Sequence, residues 1–98
     1  HDNLNVKIQI ALILIELKKY EQAATRLEDI LQLAPDSDKV RYYLGAVYEE
    51  INQPDLAIAH YKKIPPSSTY FSEATVHSAQ MLKNGGKMDD ALKPFARE

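Results

Sequence analysis

The sequence predicts an all-α fold built from paired, repeating helices, and three observations carry that prediction. Long segments rich in Leu, Ile, Ala, Glu, Lys and Gln are separated by short breaks that hold four of the chain's five prolines, with the Gly, Asn and Ser expected at helix ends. No stretch alternates apolar and polar residues for long enough to make a half-buried strand. Small and large apolar residues also recur at an interval of 34 positions.

The elements follow in order. The first apolar run predicts a helix over 4–17, and from Val6 to Leu17 it is apolar nearly all round, a pattern that describes a buried helix rather than a capping one. A break at Leu17–Tyr20 separates it from a second helix over 20–33, which ends before Pro35-Asp36. A third helix is expected over 37–51, with Asp36 at its start, where a carboxylate favours the positive end of the helix dipole. After Asn52–Pro54 comes a fourth over 54–64, opened by Pro54-Asp55. It should stop near Ile64, because proline lacks an N–H and restricts the residue before it, leaving Pro65–Thr69 as an extended link. A fifth helix over 70–84 precedes a turn at Asn84–Lys87, and a sixth over 88–97 is opened by Asp89-Asp90.

The helices repeat. Ala23, Ala57 and Ala91 stand 34 apart, and four residues after each comes a large side chain, Leu27, Tyr61 or Phe95. Ahead of them the same register aligns Ile10, Leu44 and Ser78, then Ala11, Gly45 and Ala79, then Leu14, Tyr48 and Leu82. Small residues let the two helices of a hairpin approach closely, and the large ones fill the space between hairpins. A hairpin alone leaves an apolar face exposed, so stability comes from stacking on neighbours.

These columns resemble the tetratricopeptide repeat, whose 34-residue unit runs W-x2-L-G-x2-Y, A-x3-F and P. The middle copy is the most similar, with Leu44-Gly45-x2-Tyr48 and Ala57-x3-Tyr61; the first ends with Pro35 at the family's proline, and the third has Gly86 at its inter-helix turn. The resemblance covers residues 4 to 98 and implies an α-α superhelix, or solenoid, of three antiparallel helix-turn-helix hairpins over 4–37, 38–71 and a truncated 72–98. The tryptophan column holds Lys7, Arg41 and Thr75, and Thr69 stands where the second copy would carry proline. The Ile-Pro-Pro run of the second copy is similar in style to bacterial arrays of the family.

Composition removes several function classes. The 98 residues are 45% hydrophobic and 27% charged, with a net charge of −2 and no cysteine. Disulfides and thiol chemistry are thereby excluded. Nucleic-acid binders carry a basic stripe, whereas Lys18-Lys19 and Lys62-Lys63 lie 44 positions apart, so no nucleic acid is expected as partner. The apolar stretch from Ile8 to Leu17 is too short for a membrane span and is interrupted by Gln9 and Glu16. His1 is not a natural start residue, so the chain is expected to be part of a longer protein.

Chemistry is equally sparse. His1, His60 and His77 have no i, i+4 partner of the kind a helical metal site uses. His60 reads as a partly exposed packing residue, Asp89-Asp90 as helix capping, and Gly85-Gly86 as a helix turn with no phosphate-loop context. No catalytic, metal or cofactor-binding residue is expected, and the chain is not predicted to be an enzyme.

The resemblance also implies where a partner would sit, because in such arrays the first helices of successive hairpins line a concave groove. The matching positions are Asn5, Ile8, Leu12, Ile15 and Glu16 from the first copy, and Lys39, Tyr42, Tyr43, Ala46, Glu49 and Glu50 from the second. The third contributes Glu73, Val76, His77, Gln80, Lys83 and Asn84. Ile8, Leu12, Tyr42, Ala46 and Val76 would form an apolar floor, with Glu16, Glu49 and Glu50 at one side. That chemistry suits a protein or peptide segment that is amphipathic with a basic flank. One subfamily binds the acidic tails of heat-shock chaperones through a clamp of Lys, Asn, Asn, Lys and Arg. The matching positions here are Ile8, Leu12, Tyr43, Glu73 and His77, none of which keeps the clamp residue. His77 is read as a neutral polar contact rather than a pH sensor. Two further roles fit the apolar first helix and the fragmentary chain: self-association or packing on upstream repeats, and recruitment for a larger enzyme.

Overall fold

The structure, a computed structural model, describes residues 2–84, and the side chains of 4–83. Its five helices are α1 (Asp2–Glu16), α2 (Tyr20–Leu33), α3 (Asp38–Glu50), α4 (Pro54–Lys62) and α5 (Phe71–Asn84). Among the described residues there is no strand. The sixth expected helix, with Asp89-Asp90, Ala91 and Phe95, the Gly85-Gly86 turn and His1 lie outside the described residues. Each helix packs on the next in sequence, so the chain forms a row of hairpins rather than a closed bundle.

The two hairpins that lie wholly within the described residues turn in the same way. Lys18 and Asn52, one period apart, both adopt the left-handed conformation, each at φ 62°. In the first turn Lys19 N–H donates to the Leu14 carbonyl at 2.8 Å; in the second Gln53 N–H donates to the Tyr48 carbonyl at 2.8 Å. These bonds satisfy carbonyls that the end of each first helix would otherwise leave free. Pro54 then starts α4 where a missing N–H is harmless.

Between hairpins, Ser37 rather than Asp36 caps α3, its hydroxyl accepting from Val40 N–H at 3.3 Å. The second link corrects an expectation. Helix α4 does end early, at Lys62, but residues 63–70 fold into turns instead of running extended. Ser68 N–H donates to the Pro65 carbonyl at 2.9 Å, and the Ser68 hydroxyl accepts from Tyr70 N–H at 3.0 Å. Prolines stop a helix without requiring extension, and the serine closes the turn that follows.

The core lies where the period put it. Ala11, Ala23 and Ala57 are fully buried, as are Leu27 and Leu44, and Tyr61 is 2% exposed. It falls into two clusters: one joins α1, α2 and α3 around Ala11, Leu27 and Leu44, and the other joins α4 and α5 around Tyr61, Ile64 and Ala74. Tyr48, half-buried, packs against both. Leu82 departs from its column: it is exposed, as is Ala79, and the helix expected to cover them lies beyond residue 84.

Candidate protein-binding groove

The groove positions divide by depth. On α1, Ile8 and Ile15 are half-buried and pack against the first core cluster, Leu12 is half-buried beside them in sequence, and Asn5 and Glu16 are exposed. On α3, Tyr42, Tyr43, Ala46 and Glu49 are half-buried, while Lys39 and Glu50 are exposed. On α5, Glu73, Val76, Gln80 and Lys83 are exposed and His77 is half-buried. The Asn84 side chain lies outside the described ones.

Four of these residues meet directly and tie α3 to α5. The Tyr42 hydroxyl donates to Glu73 Oε1 at 2.9 Å, and His77 Nδ1 lies 2.8 Å from Glu49 Oε2. A carboxylate only accepts, so the His77 Nδ1 carries the proton of that bond. Glu49 also accepts from the Tyr61 hydroxyl of α4. Aromatic rings fill the space around these bonds: Tyr42 stacks on Tyr70 with centroids 5.2 Å apart, and its neighbours Tyr43, Tyr61 and His77 lie 6.0, 5.8 and 6.1 Å away. Burial, then the Glu73 bond, pushes the Tyr42 phenol up to about 12. Burial and Glu49 push Tyr61 further in the same direction. Both hydroxyls are therefore proton donors throughout the physiological range.

This network changes what the glutamates offer. Glu49 was expected at the acidic side of the groove, yet its carboxylate is engaged by Tyr61 and His77. Glu16 and Glu50 are the exposed carboxylates of the three that the sequence set there. Next to the network, Ser72, Glu73, Val76 and His77 line an open hollow of about 340 Å³, and Val76 at its edge is 54% exposed.

A second polar network on the second-helix side was not legible beforehand. The Tyr48 hydroxyl donates to Glu28 Oε2 at 2.6 Å, His60 stacks on Tyr48 at 5.7 Å, and His60 Nε2 faces the same carboxylate oxygen at 3.5 Å. Burial, with the Glu28 bond, pushes the Tyr48 phenol up to about 12. Arg41 donates to the Pro35 carbonyl at 3.0 Å and approaches His60 Nδ1 at 3.4 Å. A guanidinium only donates, so Nδ1 accepts and the ring proton sits on Nε2, towards Glu28. Burial lowers the His60 pKa; Glu28 opposes that shift and Arg41 adds to it. Arg41 occupies the family's tryptophan column and links the two hairpins by polar contacts rather than by a ring.

The sequence profile of the tetratricopeptide repeat matches residues 14–69, more than half of the chain. The chain belongs to the tetratricopeptide repeat family. A tetratricopeptide-repeat-containing protein of Methanocaldococcus jannaschii is 26% identical over 91 residues, which cover 88% of this chain and 28% of that protein. The chain thus spans just over a quarter of this relative's length. That organism is an archaeon, so the bacterial style of the second copy finds no support there. No solved structure matches the chain significantly. Tetratricopeptide repeats generally mediate protein–protein interactions, typically as non-catalytic scaffolds. Among the described residues, no three His, Asp or Glu side chains are grouped to hold a metal ion, and no helix is long and apolar enough to cross a membrane.

Proposed function

We propose that this tetratricopeptide repeat chain is a non-catalytic interaction module that holds a segment of a partner protein along the faces of α1, α3 and α5. The observation that carries this reading is Val76, an aliphatic residue 54% exposed at the edge of a hollow whose polar walls are already fixed by bonds to α3. Leu12 and Ala46 supply further half-exposed apolar surface at equivalent positions of α1 and α3. Glu16 and Glu50, one period apart and both exposed, would select a partner with a basic flank. An amphipathic helix or an extended segment fits that chemistry.

Substitution separates the groove from the rest of the surface. Leu12→Asp and Val76→Asp place a charge where the partner's apolar side would rest, whereas Leu56→Asp changes an exposed leucine on α4. The first two should each weaken partner affinity by tenfold or more, about 1.4 kcal/mol, and the third should leave it unchanged. Equal affinities for all three variants would contradict the reading.

A further inference from the structure

Four aliphatic side chains form one outward stripe, three on α1 and one just past its end: Val6 is 56% exposed, Ile10 36%, Ile13 53% and Leu17 59%. Moved on by one period, the same stripe becomes Val40, Leu44, Val47 and Ile51. There Val40 and Leu44 are fully buried, Val47 is 1% exposed and Ile51 is half-buried. One period later, Ala74 is 1% exposed, with Ser78 and Met81 half-buried. In both later copies the return helix of the preceding hairpin packs on this helix, α2 on α3 and α4 on α5. The stripe along α1 is thus the same face, and among the described residues no helix covers it.

We infer that this face is a docking surface for the return helix of a further hairpin of the same repeat type, supplied from the polypeptide N-terminal to Leu4. The contact would continue the α2–α3 and α4–α5 interfaces. The incoming helix should carry small or aliphatic residues one period before Ala24, Leu27 and Leu31, three of the five buried residues of α2. A short link like the one between α2 and α3 would join it to α1. A second copy of the chain is the weaker occupant. Four side chains in a single stripe offer far less than the total of about 1,200–2,000 Å² that stable protein pairs bury. A tethered hairpin also avoids the entropy lost when two molecules associate.

The experiment duplicates residues 4–37 directly before Leu4, so that a copy of α2 precedes α1 at the natural spacing. The duplicated chain should be a monomer melting more than about 8 °C above the 98-residue chain. Ile10→Glu with Ile13→Glu in the original α1 should abolish that gain, yet shift the melting of the unduplicated chain by no more than about 2 °C. No gain on duplication, or equal losses in both chains, would overturn the inference. So would a dimeric 98-residue chain that the two substitutions dissociate, because a second copy would then cover the face. Should the duplicated chain aggregate, the unduplicated chain decides: a melting loss of more than about 8 °C from the same substitutions shows that its own residues already cover the stripe.

Discussion

Tyr61 of α4 lies so close to Gly45 of α3 that a Cβ added at position 45 would overlap the tyrosine ring. The ring cannot swing away freely, since it is 2% exposed and its hydroxyl is bonded to Glu49. Gly45→Ala should therefore destabilise the chain by about 1–3 kcal/mol, the usual cost of overfilling a packed site. Urea unfolding measures this directly. An unchanged midpoint would mean that the α3–α4 pair has slack the packing does not suggest.

Lys18 presents the opposite case. It is exposed and left-handed, a conformation costing roughly 1–2 kcal/mol for a residue with a Cβ. Glycine removes that cost and gives back part of it through a more flexible unfolded chain. Lys18→Gly should raise stability by about 0.5–1 kcal/mol in the same urea assay. A loss would show that the lysine contributes something beyond its backbone.

The histidine of the second network ties stability to pH. Its pKa in the fold lies below the ordinary value of 6.5, so the folded imidazole takes up a proton less readily than the unfolded one. The stability that follows is complete above that value and is lost as pH falls through the lower folded pKa. Stability should therefore drop more between about pH 7.5 and pH 5 in the natural chain than in His60→Gln. Parallel slopes for the two chains would remove His60 from the account.

The repeat columns were the most legible part of the sequence, because they record a local constraint. Ala11, Ala23 and Ala57 are small where helices cross, and each is fully buried as the period requires. Tyr61 and Leu27 fill the space between hairpins for the same reason. The Pro65–Thr69 link was harder to read. Proline announces where α4 stops, but the fold of the link depends on Ser68 closing a turn onto Tyr70.

Polar partnerships were the least legible. Glu28, Arg41 and His60 sit on three helices, and no spacing rule along the chain announces that they meet. Likewise the groove positions came from the repeat register, which assigns a face but not a bonding partner. Glu49 therefore read as an open carboxylate, although its neighbours are Tyr61 and His77. The outward stripe along α1 was visible as an oily helix. What the sequence alone left open was which of its sides the fold would cover, and the buried equivalents on α3 resolve that.

A partner held along the first helices of the hairpins should touch α5 and not the outer face of α4. A photo-crosslinking residue placed at Val76, on α5, compares directly with one at Leu56, on α4; the two natural side chains are 54% and 45% exposed. Exposure alone would label a partner from both positions. The probe at 76 should label a partner, Leu12→Asp should abolish the labelling, and the probe at 56 should give none. Labelling from 56 and not from 76 would contradict that placement.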